Sequence, residues 1–232
     1  IRTCRLNVKD QSDEFAVNVL ASLIGNRVSM QMRVKEGLAY SPGAGATMGA
    51  DGSAELVFYT TGVVNSGVGR MMQFWDESIK EVEAGNIDHE EVTQHRLREA
   101  RSIGVDAQSV GQVSNHLTRV VRFDQPMELL TERGKLIASV SADDLKRLIQ
   151  GCGEHSITTA EGPKEIIGAQ FDELGVAYEV VEWKGDADEL LFTHDPKAAK
   201  KKEKDRQKAA KKKEKEDAKK KEEEEAGEAD DS

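Results

Sequence analysis

The sequence is short of cysteine, of aromatic residues and of long apolar runs, and each shortage removes a class of protein. Two cysteines, Cys4 and Cys152, lie far apart in the chain and provide neither a disulfide framework nor the four ligands of a structural zinc site. No apolar stretch approaches the roughly 20 residues of a membrane-spanning helix. Aromatic residues make up only 5% of the 232. No Gly-Lys-Ser/Thr follows Gly67-Val68-Gly69, so a phosphate-binding fingerprint is missing. There is also no initiator Met and no signal-peptide pattern at Ile1. The stretch therefore reads as cut from a longer chain, with its targeting information elsewhere and no compartment named.

What the chain does have is charge, unevenly placed. Charged residues are 33% and the formal net charge is −10. Residues 1–196 hold 31 acidic and 19 basic side chains, whereas residues 197–232 hold 12 and 14. The octet KAAKKKEK occurs at 197–204 and again at 208–215, an eleven-residue spacing that returns like side chains to one helical face. That face is not apolar, so the tail reads as disordered or as a solvated helix. Its basic block, 197–213, has the composition of a nucleic-acid or anionic-surface contact. No aromatic interleaves the lysines to stack on bases, so nucleic acid is not the expected partner. The expected organisation is a globular domain over residues 1–184, a linker over 185–196 and a Lys/Glu-rich tail over 197–232.

Periodicity divides the globular part. Cys4, Leu6 and Val8 alternate with polar residues as a half-buried strand does. Phe15, Val19, Leu20, Leu23 and Ile24 share a helical face, and Gly37–Met48 and Ala54–Thr61 read as strands. A second helix runs from Val68 to Gly85. A long third one starts at Asp88 and holds an apolar stripe to about residue 122, with a bend allowed at Gly104 or Gly111. Helices are expected over Pro126–Ala138, from the Ser141–Asp144 capping box, and over Pro163–Leu174; His155–Thr159 and Ala177–Trp183 read as strands. The order implies an α+β domain, with helices packed on one face of an antiparallel or mixed sheet.

Local chemistry is sparse. His89-Glu90-Glu91 and His95 invite a metal reading, but the two His are six apart, about 240° around a helix, and cannot share one ion. The inverted motif His-x-x-Glu-His is absent from the sequence, so no metal is expected on this chain. Cys4 sits in a strand interior and Cys152 in a Gly-Cys-Gly turn. Neither belongs to a nucleophile motif, and both read as buried or incidental thiols. Gly43 and Gly45 suggest a close backbone approach or an unusual φ.

One segment is more specific. Arg33-Val34-Lys35-Glu36-Gly37-Leu38-Ala39-Tyr40-Ser41 follows a helix that ends Leu-Ile-Gly-Asn-Arg. Together with the Asp88-His89-Glu90-Glu91 helix, the Val140–Leu145 helix start and Glu179-Val180-Val181, it resembles the C-terminal half-unit of the pitrilysin/insulinase family of zinc peptidases. That family includes the mitochondrial processing peptidase, and the resemblance covers residues 1 to about 184.

The resemblance implies a processing-peptidase type of fold and a division of labour. One homologous unit carries zinc, and the other contributes an Arg and a Tyr that reach across to a peptide substrate. Those positions match Arg33 and Tyr40, whose guanidinium and phenol are donors suited to a peptide carbonyl and its developing oxyanion. Lys35 and Glu36 read as solvated, and Gly37 and Ala39 as room for a close backbone. The chain alone is then not expected to hydrolyse peptides, and zinc is expected on a partner unit in the same full-length chain or a separate subunit. The alternatives are a proteolytically inactive assembly subunit of the same fold, and an anchoring module that uses the lysine tail.

Overall fold

Ala54, Leu56 and Phe58 are buried while Glu55 and Tyr59 are exposed, the alternation of a strand with one face on a core. The structure, a computed structural model, describes residues 1–49 and 51–181, and one unit spans Ile1–Tyr178. Its sheet has four antiparallel strands: β1 (Arg2–Arg5), β2 (Gly43–Met48), β3 (Ala54–Tyr59) and β4 (Ser156–Thr158), in the order β2-β3-β1-β4. Register aligns Ala44, Phe58, Arg2 and Thr158 in one row, and Gly45, Val57, Thr3 and Ile157 in the neighbouring row on the opposite face.

Two helices cover the inner face. In α1 (Glu14–Ser29), Phe15, Val19, Leu20, Leu23 and Ile24 are buried as their spacing predicts. The helix crosses β2 closely: a methyl at Gly25 would stand 3.0 and 3.1 Å from the Ala44 amide nitrogen and carbonyl oxygen. In α2 (Val68–Ala84), Met71, Met72, Trp75, Ile79 and Val82 face inward, and Trp75 packs on Phe58 with ring centroids 5.6 Å apart. Gly85 ends the helix with φ 85°, a left-handed cap that glycine adopts without a Cβ penalty. Beneath α2 the Arg2 side chain is almost fully buried, held by Asp76 and by Ser156 Oγ at 3.0 Å.

The long helix expected from Asp88 is two helices. α3 (His89–Asp106) begins at the Asp88 cap, and α4 (Val110–Arg122) begins at Ser109, whose side chain accepts from the Gln112 amide. The break falls at 107–109 and not at Gly104 or Gly111, because a new cap, not a glycine, ends the run. The apolar stripe also fails to stay inward on α4. Val120 is buried, but Val110 is 87% exposed and Val113 and Leu117 are 40% and 43% exposed. The helix expected over Pro126–Ala138 is likewise divided, into α5 (Glu128–Thr131) and α6 (Arg133–Ser139), at Glu132.

The capping box forms as its residues require. Ser141 and Asp144 exchange hydrogen bonds at the start of α7 (Ala142–Ile149), which buries Leu145, Leu148 and Ile149. Arg147 fixes α7 to the start of the chain through Asp13, at 2.6 and 3.0 Å, and the Asn7 carbonyl, at 3.0 Å. The last described helix, α8 (Lys164–Glu173), precedes Gly175 with φ 66°. The strand expected at Ala177–Trp183 is not formed over residues 177–181, and its end lies outside the described residues. The linker at 185–196 and the tail at 197–232 also lie outside them.

The cysteines correct the sequence reading. Cys4 in β1 and Cys152 in the turn after α7 are both buried and form a disulfide, with Cα atoms 5.1 Å apart. They pair because β1 and β4 register Cys4 opposite Ser156, four residues beyond Cys152, which brings the turn back over the first strand.

The architecture is therefore mixed: several helices and one small antiparallel sheet with α1 and α2 on its inner face, as the element order implied. Among the described residues no helix is long and apolar enough to cross a membrane.

Candidate functional site

The Arg33–Tyr40 segment begins where α1 changes pitch. Residues Met30–Lys35 continue the helix as a π-helical turn, with the Glu36 amide donating to the Gln31 carbonyl at 2.9 Å. The wider turn keeps Met32 fully buried as an anchor while Arg33, Val34 and Lys35 face solvent. The chain then reverses at Gly37, whose φ of 65° is the reason for glycine there. No heavy atom lies within 4 Å of where its Cβ would be, so close backbone approach, the expected reason, does not apply.

Two contacts fix the far side of the reversal. The Leu38 amide donates to the Met32 carbonyl at 2.8 Å, and the Val64 amide to the Leu38 carbonyl at 3.0 Å. Ala39 is buried and bridges Val63, which leaves Tyr40 72% exposed. The turn and the bridge together bring the two candidate residues into contact: the Arg33 guanidinium carbon lies 5.1 Å from the Tyr40 ring centroid. This is a cation–π distance. It leaves the phenol hydroxyl at the edge of the ring and the guanidinium N–H groups as the polar tips of one surface feature.

Glu36 is not the solvated residue that the sequence suggested. Its carboxylate receives the Arg70 guanidinium at 2.9–3.2 Å and the Gln31 amide at 2.6 Å. The Arg70 hydrogen bond, with help from Gln31, holds this carboxyl below its ordinary value, and Glu36 in turn raises Arg70. Arg70 also reaches Glu77 at 3.1 Å and lies over the Phe74 ring. The clamp ties the loop before Tyr40 to the first turns of α2. Nothing local in the sequence marks it, since its partners lie 34 positions apart.

The other candidates disperse. His95 is buried with Nδ1 3.0 Å from Ser22 Oγ, and burial pushes its pKa down. His89 is exposed, and Glu91 is committed to Arg27 at 2.6 and 2.7 Å, an ion pair joining the end of α1 to the start of α3. His116 stands 3.3 Å from Asp106. Among the described residues no group of three or more His, Cys, Asp or Glu is placed to hold a metal ion. The described residues do not fit a zinc ion.

Of the two glycines of β2, Gly43 has a steric reason, while at Gly45 a Cβ would make only an ordinary contact. A Cβ at Gly43 would come within 3.0 Å of the Tyr59 ring and hydroxyl, and one at Gly45 within 3.7 Å. Tyr59 therefore lies flat along its neighbouring edge strand, as close approach predicted.

No protein-family profile matches the sequence, and no curated protein resembles it significantly. Solved structures do resemble the fold. A peptidase M16 inactive domain from Pseudomonas fluorescens superposes with TM-score 0.52 at 15% identity, over 70% of this chain and 42% of that one. An inactive peptidase domain from Bordetella parapertussis gives TM-score 0.52 at 12% identity, over 67% and 87%. A chain of complex III2 from Candida albicans gives 0.52 at 12% identity, over 62% and 38%. This chain thus spans less than half the length of the Pseudomonas and Candida chains, and it shares with all three a fold.

Proposed function

We propose that this chain is the substrate-binding, non-zinc half of a zinc metallopeptidase, with a C-terminal-type half-unit of the processing-peptidase kind over residues 1–184 and an appended tail over residues 197–232. The stacked and exposed Arg33–Tyr40 pair carries the reading. Its two donors are rigidly related through the π-helical turn, the Gly37 reversal and the Ala39–Val63 bridge. They would hold a peptide carbonyl presented by a homologous zinc-bearing unit and stabilise charge that develops on its oxygen. The folds of the Pseudomonas and Bordetella domains, each an inactive peptidase domain, support such a division of labour. Zinc then belongs to the partner unit, and this chain supplies binding and orientation only.

The test is reconstitution. The chain is mixed with a zinc-bearing unit of the same fold, and cleavage of a fluorogenic peptide is followed. Arg33→Ala and Tyr40→Phe are expected to lower turnover by roughly 10- to 100-fold. Turnover that both variants leave unchanged rejects the assigned roles.

A second reading, an assembly subunit without proteolysis, is favoured by the fold shared with the complex III2 chain. It predicts stable association with a partner and no dependence of any cleavage on Arg33 or Tyr40.

A further inference from the structure

Glu36 is the single acidic residue between Glu14 and Asp51, and it follows Arg33 by three positions at the end of the π-helical turn. Three positions along a helical segment is ion-pairing range for two long side chains, so an unoccupied carboxylate here would reach the Arg33 guanidinium. A carboxylate is also a stronger acceptor for a guanidinium than the neutral carbonyl of a peptide. The local sequence therefore sets a competitor beside the N–H groups that the site offers.

That competitor is occupied from the other side. Arg70, in the first turn of α2, binds both oxygens of the Glu36 carboxylate: its Nη2 lies 2.9 Å from Oε1, and its Nε 3.2 Å from each oxygen. The Gln31 amide donates to Oε1 as well, at 2.6 Å. Arg70 is itself held, by Glu77 at 3.1 Å and by the Phe74 ring, whose centroid is 5.7 Å from the guanidinium carbon. The helix thus presents a fixed, two-pronged cation to the loop. Arg33 has no ion pair among the described residues, and its guanidinium rests on the Tyr40 ring.

We propose that Arg70 is a positioning residue for this site: by holding both carboxylate oxygens of Glu36 it withholds them from Arg33, and so keeps the Arg33 guanidinium on the Tyr40 ring with its N–H groups free for a peptide carbonyl. The benefit to a peptide rests on the proposed reading of the pair; the separation of Glu36 from Arg33 does not. Removing Arg70 alone releases a carboxylate that captures Arg33. Removing the Glu36 charge as well takes that competitor away, so the second substitution repairs part of what the first one damages.

The experiment uses the full chain. The Arg33 Nε–H resonance, identified by its loss in Arg33→Ala, is followed in the wild type, in Arg70→Gln and in Arg70→Gln with Glu36→Gln. Arg70→Gln is expected to shift it, as a carboxylate replaces the ring as partner, and the added Glu36→Gln to move it back. In the reconstituted peptidase assay Arg70→Gln is expected to lower kcat about two- to fivefold with KM little changed, the size of an exposed ion pair, and the double variant to recover most of that loss. A clamp that is only a structural tie gives no such recovery. An Arg33 resonance that stays in place in Arg70→Gln, or a double variant no better than Arg70→Gln, overturns the proposal. Should Arg70→Gln not fold, Arg70→Lys, which keeps the charge but not the two-pronged contact, is expected to shift the resonance in the same direction by less, and no shift there is equally a refutation. The resonance needs no zinc-bearing unit. Its failure refutes the role of Arg70, whereas turnover indifferent to Arg33→Ala refutes the peptide-binding reading.

Discussion

The Arg33 guanidinium lies over the Tyr40 ring, 5.1 Å from its centroid, although seven positions and a chain reversal separate the two residues. An exposed cation–π pair contributes only about 0.5–1 kcal/mol. Tyr40→Leu and Arg33→Ala are therefore expected to leave thermal unfolding nearly unchanged, within about 1 kcal/mol, and a double-mutant cycle by chemical denaturation should return a coupling of that size. A larger loss would make the pair a structural element.

The Glu36 clamp makes the loop sensitive to acid. Arg70 and Gln31 depress the Glu36 pKa, so the unfolded chain takes up this proton first as pH falls. The contribution is present above the unfolded value of about 4.5 and is lost as pH drops through the lower folded value. Carbon-detected carboxyl titration should show Glu36 below the ordinary range. Arg70→Gln should return it upward, while the Arg33–Tyr40 loop loses order.

His95 should give a second acid sensitivity at higher pH. Burial lowers its pKa, so the folded state favours the neutral ring and the unfolded state binds the proton more readily. Stability is full above the unfolded value of about 6.5 and falls as pH drops toward the folded value. Denaturant midpoints at about pH 7.5 and pH 5.5 should differ for the wild type, and less so for His95→Gln. Equal slopes in the two proteins would assign the sensitivity elsewhere.

Gly25 is where α1 meets β2 most closely. Gly25→Ala would push a methyl against the Ala44 backbone at 3.0 Å, and backbone cannot rotate away as a side chain can. A loss of about 1–3 kcal/mol is expected by denaturant unfolding, despite the better helix propensity of alanine.

Reduction should weaken the fold without dissolving it. The Cys4–Cys152 bridge closes a loop with sequence separation 148, for which chain-entropy reasoning gives on the order of 3–5 kcal/mol. Denaturation with and without reductant measures the difference, and a non-reducing peptide map should recover the crosslinked pair.

Local signals carried most of the element order. The Ser141–Asp144 box, the Phe15–Ile24 face and the Gly85 stop are each written within one or two turns of chain, and each forms. The break before α4 also has a local signal: Ser109 and Gln112 have capping-box spacing, set inside an apolar stripe that continues past them. The disulfide and the Glu36–Arg70 clamp were not legible, because strand register and helix placement bring those partners together over long separations. Arg33 and Tyr40 could be picked out by resemblance alone. Their contact depends on a π-helical turn and a bridge to Val63 that no local pattern announces.

The bridge between the first strand and the turn after α7 also changes what a protease does to this molecule. Any single cut between Cys4 and Cys152 leaves two pieces that remain one covalent body. An oxidised sample nicked in that span would keep its mass under denaturing conditions, apart from the water added by hydrolysis, and reveal the damage only once a thiol was added.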